Sequence, residues 1–261
     1  MKGKEAVPSL KERIKAHKVT FVIYVLLRLS VILILIAQLI NRNFENVFLC
    51  ILTLLLFFAP SVLSRTLHLE LPSALEIIIL LFIYAAEILG EIRDFYVIFP
   101  YWDTMLHTIN GFLAAAIGFS LVDMLNRNKR FTFTLSPLFV AVVAFCFSMT
   151  IGVLWEFFEF AMDMFFKLDM QKDTIVNSIS TVMLDPSGGT TPVQITDIQD
   201  ILINGNSLGL GGYLDIGLID TMKDLIVNFI GAVIFSIFGY FYVKTRGKNK
   251  FVESFIPRVK D

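Results

Sequence analysis

Residues 103–125, DTMLHTINGFLAAAIGFSLVDML, decide the fold class. A helix needs about 20 predominantly apolar residues to cross a ~30 Å hydrocarbon core, and this run meets that length. Its first turns nevertheless carry Asp103, His107 and Asn110. Spacings of four and three residues place all three on one helix face. The run thus reads as a membrane span that begins with a polar face, and the rest of the chain must say what that face meets.

Outward from this run, comparable apolar stretches cover residues 19–41, 46–63, 72–90, 136–162 and 220–243. Hydrophobic residues make up 56% of the chain, mean hydropathy is +0.73, and Phe alone contributes 26 of 261 residues. A soluble domain sits nearer 45–50% apolar. In lipid every backbone polar group must pair internally, so a long apolar run is a helix unless a closed barrel forms. Barrel strands alternate in hydrophobicity, and these runs do not. The fold class is therefore an all-α integral membrane protein with six transmembrane helices. Pro60, near the end of the short second run, is expected at an interface.

Lysine and arginine set the expected orientation. Residues 1–18 carry Lys2, Lys4, Lys11, Arg13, Lys15 and Lys18, and residues 244–261 carry Lys244, Arg246, Lys248, Lys250, Arg258 and Lys260. Arg65, Arg127, Lys129 and Arg130 fall in loops on the same side. The opposite side holds only Arg42, Arg93, Lys167 and Lys172. Both tails are expected to be cytoplasmic, flanking a six-helix membrane domain over 19–243 in a bacterial inner membrane. The first run lacks a small-residue cleavage site and is read as a retained span, not a signal peptide.

The net charge of −1 gives no basis for nucleic-acid binding. Cys50 and Cys146 both lie in apolar runs and read as small buried hydrophobes, neither a disulfide framework nor a cysteine-rich zinc site. The loop 163–219 differs in composition, with DPSGGTTP and ILINGNSLGLGGYLDIG. Asn204-Gly205 between short apolar stretches is a two-residue hairpin signal. A small outer cap is expected there, between the fifth and sixth helices.

With this orientation the polar residues collect in the outer halves of the helices. The fifth run ends GVLWEFFEFAMDMFF, with Glu156, Glu159 and Asp163 on one stripe. The sixth opens IDTMKDLIVNFIGA, with Asp220, Asp224 and Asn228 one turn apart, and the third closes with Glu87 and Glu91. Groups facing lipid there would cost up to ~2.5–3.5 kcal/mol each at mid-bilayer depth, so a shared interior is the cheaper arrangement. Asp103 and Asp220 each precede Thr-Met at a helix start, where aspartate also serves as an N-cap. Asp163 is expected above the membrane in water. Arg28, midway along the first run, is expected to snorkel or to pair with Glu76.

Asp103, Glu156, Glu159, Asp220 and Asp224 would bring five carboxyl groups near one histidine and Lys223. Carboxylates in a poorly solvated site require raised pKa values or a bound cation. Oxygen-rich ligation with a single imidazole suits Mg²⁺, Mn²⁺ or Ca²⁺, with Zn²⁺ as an option. Di-iron bundles use Glu-x-x-His twice, which EFFE does not supply.

The ordered trio of Asp-x-x-x-His, Glu-x-x-Glu and Asp-x-x-x-Asp resembles the YjdF-type family of uncharacterised bacterial polytopic membrane proteins. The likeness runs from about Glu87 to Gly231 and includes Asp103, His107, Gly111, Trp155, Glu156, Glu159, Asp220, Asp224, Asn228 and Gly231. DTMLH and DLIVNFIGA are more distantly similar to VanZ-like proteins. The resemblance implies six helices and these site positions, and it implies no activity.

The leading expectation is a metal-dependent hydrolase or transferase acting on a lipid-linked or envelope substrate. His107, Glu156 and Glu159 would be its acid–base residues, with Asp103, Asp220 and Asp224 as metal ligands and Asn110, Asn228 and Glu87 in support. A proton- or cation-coupled transporter and a non-catalytic protein with a structural polar cluster are the alternatives.

Overall fold

The computed structural model describes residues 18–66, 69–127, 135–245, 253–256 and 258–259. In chain order they form α1 (Lys18–Ile40), α2 (Phe44–Leu56), α3 (Ala59–Thr66), β1 (Leu69–Glu70) and α4 (Ser73–Tyr84). A π-helix (Ala85–Ile92), α5 (Phe95–Ile98), α6 (Trp102–Arg127) and α7 (Pro137–Phe166) follow. The strands β2 (Thr174–Val176), β3 (Ile179–Thr181), β4 (Val193–Ile195), β5 (Leu202–Ile203), β6 (Asn206–Ser207) and β7 (Tyr213–Asp215) then precede α8 (Leu218–Lys244) and β8 (Arg258–Val259). Among the described residues, six helical segments are long and apolar enough to cross a membrane: Lys18–Ile40, Phe44–Thr66, Ser73–Ile92, Trp102–Asn126, Pro137–Phe166 and Leu218–Lys244. They fall on the six apolar runs of the sequence, with ends shifted by a few residues.

Two spans are irregular for local reasons. The second combines α2 and α3. The Asn43 side chain accepts from the Asn46 N–H at 3.1 Å to start α2, and the helix breaks at Phe57–Phe58. Pro60 then stands in the first turn of α3, where its missing N–H costs nothing. The proline therefore lies inside the span, dividing it, and not near its end as the apolar pattern suggests. The third span passes from α4 directly into the π-helix that carries Glu87 and Glu91. The Trp102 indole donates to the Ala85 carbonyl at the start of that segment, at 3.3 Å.

The chain divides into two compact units, one comprising residues up to Gly152 and from Val227 onward, the other Val153–Ile226. In the first unit, Val31, Cys50, Phe57, Leu80, Ile83 and Ile88 join α1, α2, α4 and the π-helix. The Arg28 guanidinium is seated between the Tyr24 and Phe58 rings, at 4.3 and 4.2 Å from their centroids. Cys146, unlike Cys50, is exposed on its helix. A second core gathers Ala115, Ala116 and Phe119 of α6, Val140 and Ala144 of α7, and Ala232, Phe235 and Tyr242 of α8. Ile256 joins it, only 5% exposed, a placement for which the basic composition of the tail gives no signal.

Lipid removes the hydrophobic drive between helices, so close van der Waals packing of small residues must hold them. The contact between α6 and α8 is backbone against backbone. A Cβ at Gly111 would overlap the Asn228 carbonyl, and one at Gly231 would overlap the Thr108 carbonyl. The Ser148 hydroxyl of α7 donates to the Gly111 carbonyl at 2.7 Å, adding the third helix to the same level.

The second unit contains the last turns of α7, the first turns of α8 and the segment between them. Its strands pair antiparallel in short ladders, β2 with β7, β3 with β4 and β5 with β6. Asn204 and Gly205 join β5 to β6 with φ of 52° and 82°, the left-handed pair that a two-residue hairpin turn requires. The Ser187 hydroxyl and backbone hold the Asp185 carboxyl below the usual range, and the Ser207 hydroxyl does the same for Asp200. Whatever stability these contacts give is present above the ordinary aspartate range and is lost as pH falls through the lowered native values.

If the α6–α8 contact fixes the fold, Gly231→Val should lower the thermal midpoint of the detergent-purified protein by several degrees or abolish accumulation. Overpacking typically costs 1–3 kcal/mol. Ile234→Leu, on an exposed position of the same helix, should leave the midpoint unchanged.

Candidate functional site

In the first unit the polar face begins with Asp103 and His107, on the first two turns of α6. Asp103 Oδ1 lies 3.5 Å from His107 Nε2, and the imidazole is buried. The helix starts at Trp102, so Asp103 is its second residue and not an N-cap. One turn deeper, the Asn110 amide donates to Asn228 Oδ1 at 3.5 Å. Asn228 is 1% exposed, and its amide also faces Met149 Sδ at 3.6 Å. It occupies the notch left by the missing side chain of Gly152. Gly111, Gly152 and Asn228 thereby bring α6, α7 and α8 to one level within this unit. Glu87 is half-buried on the π-helix. Ser120 and Asp123, buried further along α6, extend the polar character toward its other end. The sequence reading treats that half of the helices as apolar and misses both.

In the second unit Glu156, Glu159 and Asp224 are buried, at 4, 8 and 3% exposure. Glu156 and Glu159 each present a carboxylate oxygen within 4.8 Å of the other. The Trp155 indole donates to Glu159 Oε1 at 2.8 Å, one helical turn away, and so fixes that side chain along α7. Three buried acids demand compensation by protons, hydrogen bonds or a cation, because an ionised carboxylate in a poor dielectric is costly.

The remaining acids of the second unit bind backbone. Asp163 accepts from the Met170 and Gln171 N–H groups at 2.6 and 2.8 Å, so it anchors the loop onto α7 and is not simply solvated. Asp220 Oδ2 accepts from the Lys172 N–H at 2.7 Å. Because α8 starts at Leu218, Asp220 is its third residue, not its N-cap. Asp215 accepts from the Ile219 N–H at 2.9 Å, and the Gln171 side-chain amide donates to the Thr221 hydroxyl. Lys223 is exposed. The sequence signals for these loop anchors are weak: an aspartate seven residues before its partner cannot be told from a solvated one without the turn between them.

A family model described as "Predicted membrane protein (DUF2238)" matches residues 23–245. An uncharacterised protein of Thermotoga maritima is 27% identical over 106 residues. That match covers 41% of this chain and 53% of the relative, about half of its length. No solved structure matches.

Asp163→Asn keeps the size of the side chain and removes one of two oxygen acceptors for backbone N–H groups. Bonds to a charged acceptor contribute about 1.5–3 kcal/mol each. The variant's loop 167–217 should be cut several-fold faster by added protease than that of the unaltered protein. Asp197→Asn should be cut at the original rate, since Asp197 has φ of 57° and asparagine tolerates that conformation.

Proposed function

The chain belongs to the DUF2238 family of predicted membrane proteins, and we propose that it binds a divalent cation with His107, Glu156, Glu159, Asp224 and Asp103. One observation carries this reading. Within the first unit Gly111, Gly152 and Asn228 bring three continuous helices to one level. The acid–base groups stand one turn from each: His107 precedes Gly111 by four residues, Glu156 follows Gly152 by four, and Asp224 precedes Asn228 by four. An i, i+4 step stays on the same helix face and advances about 6 Å along the axis. That step keeps each group on the face of its own helix that carries the neighbouring glycine or asparagine, and Glu159 approaches Glu156 within 4.8 Å.

The donor set, mostly carboxylate oxygen with one imidazole, suits Mg²⁺, Mn²⁺ or Ca²⁺ and admits Zn²⁺. A cation held there would polarise a substrate oxygen and lower the pKa of bound water. A glutamate oxygen not taken up by the cation would hold or move protons beside it. Asp220 enters this reading only through the oxygen not used by the Lys172 N–H. Asn110 and Asn228 keep the helices in register, and Glu87 is a supporting acid on the π-helix, a type of irregularity frequent at functional sites.

The fuller form of the proposal is a hydrolase or transferase of a bacterial inner membrane, with both termini cytoplasmic and a lipid-linked or envelope substrate reached from the outer leaflet beneath a cap formed by 163–219. The likeness of the Asp-x-x-x-His, Glu-x-x-Glu and Asp-x-x-x-Asp trio to the YjdF-type family belongs to that form. A second reading, proton- or cation-coupled transport, is favoured by Asp123, a second buried acid in the other half of α6.

Elemental analysis of the detergent-purified protein, supplied with Mg²⁺, Mn²⁺ and Zn²⁺, tests the cation. About one divalent ion per chain is expected, falling to near zero in Glu156→Gln/Glu159→Gln at an unchanged thermal midpoint. Absence of metal from the well-folded unaltered protein would sink the proposal. Proton flux in liposomes that Asp123→Asn blocks would favour the second reading.

A further inference from the structure

We propose that the groove between the first turns of α7 and the last half of α8 binds one anionic, ester-linked phospholipid, its acyl chain along the groove and its phosphate at Lys244. The groove has a volume of about 430 Å³, within the ~300–1,000 Å³ typical of ligand pockets. On α7 its lining includes Leu138, Val142 and Phe145, and on α8 Phe229, Ser236 and Tyr240. Steps of four and three on α7, and of seven and four on α8, keep each set on one helix face. Leu138 and Val142 are exposed at the rim, so in a membrane the groove opens sideways to the lipid chains.

Its length fits one leaflet. Phe145 meets Phe229 edge-on, with ring centroids 5.4 Å apart at 88°, and this contact closes the deep end. Tyr240 stands at the other end, one turn before α8 finishes at Lys244. From 229 to 240 the helix rises about 16 Å. Half of a ~30 Å hydrocarbon core is ~15 Å. A tail that enters beside Tyr240 therefore runs to the Phe145–Phe229 contact and stops near the bilayer midplane.

Two polar features define the chemistry of the occupant. Lys244 Nζ donates to Tyr240 Oη at 3.4 Å and stands 5.4 Å from the centre of that ring. The ammonium is thus folded back toward the groove mouth, and neither contact supplies a countercharge. Basic side chains at a membrane surface attract anionic headgroups, and tyrosine favours the same level. Ser236 lies four residues deeper than Tyr240, about 6 Å along the axis, and is more than nine-tenths buried. Its hydroxyl has no hydrogen-bond partner among the described residues. Thr108, Ser120 and Thr150, by contrast, each donate to the carbonyl four residues earlier on their own helix. A hydrocarbon tail alone would leave the Ser236 donor unmet, which is costly; an ester carbonyl just below the phosphate accepts from it. The groove lies wholly within the first unit and uses none of the proposed cation ligands, so either reading can fail alone.

Native mass spectrometry of the full chain in detergent, with phosphatidylglycerol or phosphatidylcholine added, tests the site. One phosphatidylglycerol per chain should survive activation that strips phosphatidylcholine. Lys244→Gln and Ser236→Ala should each lower its retention several-fold, and Val142→Trp, which fills the groove from its exposed rim, should abolish it. Equal retention of the two lipids by the unaltered protein overturns the proposal. So does retention unaffected by any one of the three substitutions at an unchanged thermal midpoint. If Val142→Trp does not accumulate, phosphatidylglycerol with a photoreactive diazirine in its acyl chain is crosslinked to the unaltered protein. Adducts concentrated on residues 138–145 and 229–241 are expected. Adducts spread evenly over the exposed faces of all six spans would mean unselective boundary lipid and overturn the proposal.

Discussion

The backbone-to-backbone approach of α6 and α8 at Gly111 and Gly231 is the constraint on which the first unit turns. Each glycine receives the carbonyl of the other helix, Asn228 on Gly111 and Thr108 on Gly231. Because 108 and 111 are three apart, as are 228 and 231, both contacts fall on one stripe of each helix. Side chains of any size would separate the axes. In lipid no hydrophobic gain would draw them together again, since the tails solvate apolar surface as well as a neighbouring helix does. The Ser148 hydroxyl then adds α7 through the Gly111 carbonyl, and Gly152 opens the notch in which the Asn228 amide sits. A buried asparagine is expensive unless its donors and acceptor find partners, and Asn110 and Met149 supply them. The packing and the polar contacts therefore specify the same register.

That register gives the acids their meaning. Burying Glu156, Glu159 and Asp224 in a membrane-embedded helix pair without compensation would oppose folding. The Trp155 indole offsets part of the cost at Glu159 by one directed hydrogen bond. At the start of α6 the Asp103 carboxylate stands 3.5 Å from the His107 imidazole. Asp163 behaves differently: both its oxygens accept backbone N–H groups, and Asp220 gives one oxygen to the Lys172 N–H. A carboxylate whose two oxygens are both taken by the fold's own amides serves to tie the loop, and that sets Asp163 apart from Glu156, Glu159 and Asp224.

The sequence makes the helices legible because length and hydropathy are properties of single segments. The hairpin at Asn204-Gly205 is legible for the same reason: its backbone demand is local. Glu156, Glu159 and Asp224 could be singled out because capping and solvation explain none of them. Pro60 was harder, since the apolar run continues on both sides of a break that depends on where α3 begins. The π-helix leaves no mark in composition. Asp123 hides at the end of an apolar run where a solvated acid reads the same as a buried one, and the role of Asp163 depends on the turn through Met170. Each miss concerns a partner remote in sequence, or a backbone path that residue type alone does not fix.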